Sequence, residues 1–180
     1  MSGFTDPTAV IGQPPEHRDH IHRFYRNERT TPFFPPDIGE AAIVNAYVTV
    51  DAGIQQPTRI GARTLLMKHC HIGHDAQVGE DCEIGVGVVV SGECVIGSRV
   101  QIGGSAWIKP QVTVGDGARI GGGAVVIRDV PAGQVWAGNP AKPLRTGWEA
   151  ARRGQIATGE FLTESEVQGW EELASAPRRN

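Results

Sequence analysis

The densest group of chemically active side chains in this sequence of 180 residues lies between Lys68 and Asp75 and contains His69, His71 and His74, three of the six histidines. An imidazole titrates near neutral pH and can take a proton from an attacking hydroxyl or amine. The same ring is a common zinc ligand. The segment therefore predicts a general base or a metal site, and an ordinary surface cluster is the third interpretation.

These histidines lie within a sequence repeat that has a period of six residues. An aliphatic residue stands at every sixth position, glycine follows it in eight of twelve cases, and the fourth position after it is always small or β-branched. Neither an α-helix nor a hairpin meander has this period, which is typical of a hexapeptide β-helix. The aliphatic positions are Ile60, Leu66, Ile72, Val78, Ile84, Val90, Ile96, Ile102, Ile108, Val114, Ile120 and Val126.

Three hexads form one coil of a triangular prism, and coils stack like parallel strands about 4.8 Å apart. The aliphatic and the small residue of each hexad point inward, and the glycine marks a corner at which we expect positive φ. The repeat predicts four unbroken coils over 60–131 and an earlier coil that begins at Ile38. The step of ten residues from Val50 to Ile60 predicts a short external loop at 53–57.

We therefore predict an all-β protein, a parallel β-helix of about five coils with a short α-helical C-terminal cap. The capping-box pattern at Thr163–Glu166 supports one or two short helices, which would cover the open sheet edge of the last coil. Ile11-Gly12 is a candidate fragment of a further coil. The predicted units are an N-terminal segment with a polar insertion (1–37), the β-helix (38–131), an extended segment that leaves the prism (132–145) and the helical tail (146–180).

Composition and charge exclude several classes of protein. The net charge of −3, from 17 Lys and Arg against 20 Asp and Glu, argues against a general nucleic-acid binder. We find no apolar run long enough to span a membrane and no signal-peptide pattern at the start, so we expect a cytoplasmic protein. Cys70, Cys82 and Cys94 occupy the small inward position and lack CxxC spacing, so we expect buried, reduced thiols.

Glycine is in excess, at 24 residues, and part of the excess falls on one corner of the prism. The corner sequences Gly85-Val86-Gly87, Gly103-Gly104-Ser105 and Gly121-Gly122-Gly123 stack into a strip almost without side chains, which we call the glycine strip. A bare strip lets a long thin ligand such as pantetheine lie against the backbone. The alternative is that glycine is merely the corner residue, which explains the first glycine of each sequence but not the others.

Several motifs resemble those of the hexapeptide-repeat acyltransferases, in particular the UDP-N-acetylglucosamine acyltransferase family of lipid A biosynthesis. They are Leu65-Leu66-Met67, His71-Ile72-Gly73-His74-Asp75, Val90-Ser91-Gly92 and Gly138-Asn139-Pro140-Ala141, and Thr49-Val50-Asp51-Ala52-Gly53 is similar to the related N-acyltransferase. The resemblance runs from Ile38 to Arg145. It implies that the coils are left-handed and that the protein transfers acyl groups.

The resemblance also implies roles for individual residues. His74 matches the catalytic base, His71 a supporting substrate contact, and Asp75 the residue that orients the base. Gly92 matches the glycine whose N–H group stabilises the oxyanion. Gly122 matches the position that limits acyl-chain length.

The same resemblance implies a homotrimer with active sites between subunits, no permanently bound cofactor, and acyl-CoA or acyl-carrier protein as co-substrate. It implies a small-molecule sugar as acceptor, in particular a nucleotide sugar, but Asp51, Glu93 and Lys109 stand where the lipid A enzyme has further histidines. The basic residues near the donor end are expected to hold a phosphate, with a solvated rim as the alternative. The predicted donor-binding residues are Gly104, Gly122, Gly123, Arg128, Lys142 and Arg145.

Three questions stay open at this point. Residues 17–26 of the polar insertion are basic and aromatic, so they are predicted to contact either the acceptor or a neighbouring subunit. His69 and His74 are five apart, which resembles the ligand pair of hexapeptide-repeat carbonic anhydrases, but the third histidine is missing and we expect no metal site. A noncatalytic β-helix scaffold is the alternative of a different class.

Overall fold

Each hexad of the repeat forms a strand of two residues followed by a turn of four, and three strands complete one coil. The structure is a computed structural model and describes residues 3–14 and 33–144. These residues form a parallel β-helix of about six coils, whose three faces are sheets of parallel strands except for one antiparallel strand at the C-terminal end. The predicted all-β architecture is confirmed, with one more coil than the repeat indicates.

Three sheets, built from strands β1 to β19 in chain order, form the faces of the prism. The eight-stranded sheet contains β1 (Phe4–Thr5), β4 (Ile43–Val44), β7 (Leu65–Leu66), β10 (Glu83–Ile84), β13 (Gln101–Ile102), β16 (Arg119–Ile120), β18 (Val135–Gly138) and β19 (Ala141–Pro143). The six-stranded sheet contains β2 (Val10–Gln13), β5 (Thr49–Asp51), β8 (His71–Ile72), β11 (Val89–Val90), β14 (Trp107–Ile108) and β17 (Val125–Val126). The five-stranded sheet contains β3 (Asp37–Ile38), β6 (Arg59–Ile60), β9 (Gln77–Val78), β12 (Val95–Ile96) and β15 (Thr113–Val114).

The core of the prism consists of the aliphatic and the small residue of each hexad, as the period predicts. Stacked aliphatic residues such as Ile84 and Ile102 pair directly across parallel strands, and both are buried. The three cysteines are also buried and unpaired with one another. Burial raises the pKa of the Cys70 thiol to about 12 and that of Cys94 to about 11, so these groups remain protonated and unreactive.

The expectation that the corner glycines adopt positive φ is wrong. Positive φ occurs at the third turn position instead, where non-glycine residues such as Arg63 and Asp75 hold values from 55° to 67°. The glycine that directly follows the aliphatic residue is required by close approach between coils. A Cβ on Gly61 would lie 2.4 Å from the backbone of Gly79, and one on Gly103 would lie 2.5 Å from the nitrogen of Gly122.

The N-terminal end of the prism confirms the predicted coil fragment at Ile11-Gly12, whereas the C-terminal end differs from the expectation. At the N-terminal end, β2 pairs with β5 and places Ile11 beside Val50, so this fragment belongs to a coil. At the C-terminal end, residues 135–143 stay on the eight-stranded sheet rather than leaving it, because β18 pairs with β16 and β19 pairs antiparallel with β18. Trp136 is buried there, at the last coil of the described residues.

The predicted helices of 146–180 and residues 15–32 of the polar insertion lie outside the described residues. Within the described residues, no helix has the length and apolar character needed to cross a membrane.

Candidate functional site

His74 and Asp75 occupy the turn between β8 and β9, at the corner where the six-stranded sheet meets the five-stranded sheet. We call this turn and those stacked on it the histidine corner. Two consecutive residues of a strand would point to opposite faces, but these residues are in a turn and Asp75 has a φ of 61°. The carboxylate therefore turns back toward the ring of its neighbour, and Nδ1 of His74 lies 2.8 Å from Oδ2 of Asp75.

The carboxylate of Asp75 is almost completely buried and hydrogen-bonded on both oxygens. Its Oδ1 accepts the backbone N–H groups of Ile54, Gln55 and Gln56 at 3.0, 2.8 and 2.9 Å. Its own N–H group donates to the Thr58 hydroxyl at 2.9 Å. Burial raises the pKa of Asp75, but the hydrogen bonds from His74 and the three N–H groups together lower it below its ordinary value. The residue is therefore an anion at neutral pH.

This anion determines which nitrogen of His74 carries the proton. A carboxylate accepts hydrogen bonds only, so neutral His74 carries its proton on Nδ1 and presents a lone pair on Nε2. Nε2 lies over Gly92 in the next coil, where an added Cβ would stand only 2.6 Å away. Glycine is thus required at position 92 to let the ring lie against the backbone.

Gly92 also presents a backbone donor at this corner. Among the described residues, none accepts a hydrogen bond from its N–H group. The coil carrying it is held in place by its neighbour, since the N–H group of Glu93 donates to the carbonyl of His74 at 2.8 Å. An imidazole with a lone pair on Nε2 and a backbone donor therefore stand on adjacent coils of one corner, an arrangement that could serve acyl transfer.

His71 lies on β8, on the outward side of the six-stranded sheet next to the histidine corner. Its Nδ1 is 2.8 Å from the Thr49 hydroxyl on the coil below. Its Nε2 is 3.8 Å from a carboxylate oxygen of Asp51. The ring is held by these two residues and is partly exposed, so it can contact a molecule bound near His74.

His69 does not join this group, although it is close in sequence. It lies at the other edge of the six-stranded sheet and stacks on Tyr47, with ring centroids 5.0 Å apart. His69 and His74 therefore sit at different corners and do not converge on one ion. In the part of the chain that the structure describes, no three His, Cys, Asp or Glu side chains are grouped so as to hold a metal.

The glycine strip lies at the corner between the eight-stranded and six-stranded sheets. Beside it runs an open groove of about 520 Å³ over the eight-stranded sheet, with Met67 at one end and Gly104 and Arg119 among its lining residues. Gly122 and Gly123 continue the strip one coil further, and a Cβ on Gly123 would meet no atom within 4 Å. The strip thus offers accessible backbone to an elongated ligand.

Within one chain, the strip and His74 lie at opposite edges of the six-stranded sheet. Gly87 and Gly92 mark the two edges on a single coil and are five residues apart, about 17 Å of extended chain. A ligand lying in the groove of a chain therefore does not reach the His74 of that same chain directly.

The predicted basic residues have different positions. Arg128 stacks above His74 and Gly92 at the histidine corner, three coils from His74, and its guanidinium lies 5.9 Å from the centre of the Trp136 ring. Lys142 is on β19, at the end of the prism. Arg145 lies outside the described residues. Arg128 and Lys142 are thus spread over the C-terminal end of the prism rather than gathered beside His74.

Sequence reasoning missed the groups that hold Asp75, namely the N–H groups of residues 54–56 and the Thr58 hydroxyl, and also the contact of Thr49 with His71. Backbone donors leave no residue type to recognise. One signal was present, because the ten-residue step from Val50 to Ile60 breaks an otherwise strict period immediately below Asp75.

The sequence has clear relatives. Residues 57–92 and 93–128 each match the family described as bacterial transferase hexapeptide (six repeats). The UDP-3-O-acylglucosamine N-acyltransferase of Maricaulis maris (strain MCS10) is 49% identical over 108 residues, which cover 60% of this chain and 31% of that protein. That of Methylobacterium nodulans is 32% identical over 139 residues, which cover 74% of this chain and 40% of that protein. The chain therefore spans well under half the length of these curated relatives.

A solved structure is similar over nearly the whole chain. The crystal structure of UDP-N-acetylglucosamine O-acyltransferase from Moraxella catarrhalis RH4 matches with a TM-score of 0.74 and 26% identity, covering 96% of this chain and 62% of that one. The similarity includes the β-helix that positions the histidine corner.

Proposed function

We propose that this chain is an acyltransferase, because residues 57–92 and 93–128 match the bacterial transferase hexapeptide family. The proposed reaction moves an acyl group from a pantetheine thioester to a hydroxyl or amine of a sugar, in particular a nucleotide sugar. The observation that carries the proposal is the pairing of His74 with buried Asp75, which leaves the Nε2 lone pair directed over Gly92. The named activities of the relatives support it.

In the proposed mechanism, the acceptor oxygen or nitrogen attacks the carbonyl carbon of the thioester while Nε2 of His74 takes its proton. Asp75 stabilises the imidazolium that forms. The N–H group of Gly92 binds the oxyanion of the tetrahedral intermediate. When the C–S bond breaks, the imidazolium returns the proton to the thiolate, so the products are an acylated acceptor and a free thiol. His71 is the supporting contact to the acceptor.

We further propose that the enzyme is a homotrimer in which the histidine corner of one chain faces the glycine strip of the next. The opposite positions of these features within one chain support this arrangement. Acyl-CoA or acyl-carrier protein is the proposed donor, with its pantetheine on the strip. We assign its phosphates to the basic residues, and we propose a cytoplasmic location, with which the buried, unpaired cysteines agree. The residues proposed to bind the donor are therefore Gly104, Gly122 and Gly123 of the strip, for the pantetheine, and Arg128, Lys142 and Arg145, for the phosphates.

The test is release of free thiol from a panel of acyl-CoAs and acyl-carrier proteins, offered with nucleotide sugars. A thermal-shift screen of the same compounds first identifies the donor and the acceptor. We expect His74→Ala to lose nearly all turnover while its mass in light scattering remains that of the wild-type oligomer. Turnover at the wild-type rate in His74→Ala would overturn the assignment. Absence of turnover and of ligand-induced stabilisation in the wild type would favour the noncatalytic scaffold.

A further inference from the structure

The loop of residues 53–57 interrupts the hexapeptide repeat without being needed by the coil. Val50 and Ile60 begin consecutive sides of the prism but are ten residues apart instead of six. Without residues 53–56, the chain would read Val-Asp-Ala-Pro-Thr-Arg before Ile60, a complete hexad with Thr58 at its small inward position. Thr58 is already fully buried in that position. The coil is therefore complete without the four extra residues.

The extra residues direct three consecutive backbone N–H groups at one oxygen of Asp75. Successive N–H groups in a turn form a concave site for an anion, and here the anion is a side chain of the next coil. The loop closes tightly, because a Cβ on Gly53 would stand only 1.7 Å from the carbonyl oxygen of Gln56. Gly53 is also tied to Phe34 by two backbone hydrogen bonds of 2.8 and 2.9 Å.

Saturation of Oδ1 by the loop leaves Oδ2 to accept the Nδ1–H group of His74. Three hydrogen bonds to one oxygen prevent the carboxylate from rotating, and they stabilise its charged form. We propose that loop 53–57 is a positioning element for His74, which acts through Asp75 to hold the imidazole in the Nδ1–H tautomer with Nε2 over Gly92. This inference rests on the proposed function, since it assumes that His74 is the base.

The direct test removes the loop and restores the hexad. The variant lacks residues 53–56 and carries Pro57→Gly, because position 57 then becomes the third turn position, where φ is positive and proline is not tolerated. A second variant, Gly53→Ala, keeps the length but forces the loop open. Gly117→Ala is the matched control, since it adds a methyl group where no atom lies within 4 Å, and the φ of 66° at Gly117 is one that non-glycine residues such as Arg63 already hold at the same turn position.

The first readout is the tautomer of His74, measured without substrate from the ¹⁵N shifts of the ring in histidine-labelled protein. We expect the Nδ1–H form in the wild type and in Gly117→Ala, and a mixture of tautomers in both loop variants. The second readout is turnover, for which we expect kcat to fall by about 10- to 100-fold in the loop variants with little change in KM.

Asp75→Asn is a third variant, which we expect to reverse the tautomer of His74. Its amide oxygen can still accept hydrogen bonds from the N–H groups of the loop, but its NH₂ group then faces Nδ1 of His74. We therefore expect the Nε2–H tautomer and a loss of kcat on the order of 10³-fold or more. A folded loop variant with the wild-type tautomer would overturn the proposal. Failure of the proposed function is a different result, namely no turnover by the wild type, and the tautomer measurement still decides the role of the loop.

Discussion

Replacement of Gly92 by alanine tests whether His74 acts from its observed position. A Cβ on residue 92 would stand 2.6 Å from Nε2 and 2.9 Å from both Cδ2 and Cε1 of the ring. Atoms in ordinary contact are about 3.5 Å apart, so the ring must move by about 0.6 to 0.9 Å. A misplacement of about 1 Å lowers a rate by about 100-fold. We expect kcat of Gly92→Ala to fall by about that factor.

The assay measures thiol release with the donor and acceptor identified in the screen. The alanine keeps the N–H group of residue 92, so the proposed oxyanion donor is still present. Gly117→Ala, which adds a methyl group in open space, should retain wild-type kcat. Circular dichroism and the melting temperature check that both variants are folded.

A double-mutant cycle with His74→Ala distinguishes displacement of the His74 ring from a change in the backbone at position 92. If alanine at 92 acts by displacing the ring, it should lower the residual rate no further once the ring is absent. Wild-type kcat in Gly92→Ala would refute the argument that the ring must lie against the backbone. An equal loss in both backgrounds would show that the substitution acts on the backbone instead.

The structure makes three further predictions. Since hydrogen bonds outweigh burial and hold the pKa of Asp75 below its ordinary value, its stabilising effect is present above about pH 4 and is lost as the pH falls through the lowered pKa. Urea unfolding should therefore show a gap between wild type and Asp75→Asn at pH 6 that shrinks toward pH 3; a constant gap would contradict this. Burial raises the pKa of Cys70 to about 12, so the native protein should resist iodoacetamide at pH 8 and react fully in guanidinium; rapid native labelling would be inconsistent with the buried position. Gly104→Leu should raise KM for the acyl donor at least 10-fold by filling the strip, whereas Gly117→Ala should not; an unchanged KM would remove the strip from the donor site.

Much of the β-helix could be predicted because the period of six residues shows which side chains point into the prism. Within the unbroken repeat of 60–131, inward residues such as Ile84 and Cys82 followed from counting in sixes, and the same count put His74 beside Gly92. The φ angles of the corners could not be read from residue type. Asp75 and Arg63 adopt positive φ, whereas Gly61 is required by the backbone of the neighbouring coil.

The ends of the prism depended on pairing across long gaps. Ile11 lies beside Val50 only because β2 pairs with β5, and no hexads connect the two in sequence. Residues 135–143 carry no repeat, yet they remain on the sheet through hydrogen bonds of β18 with β16. Such pairing depends on backbone groups, which every residue carries, so the side-chain pattern does not reveal it.

The sequence by itself therefore determined the prism, its buried residues and the candidate base. Only the tertiary structure decided how that base is held. It shows that Asp75 reaches His74 because the positive φ of Asp75 directs its carboxylate back toward the imidazole ring. It also shows that the loop at 53–57 supplies three N–H groups to that carboxylate. It also places the glycine strip and His74 at opposite edges of one sheet. The physical reason is that a period records which way side chains point, whereas contacts between coils depend on the path of the backbone in space.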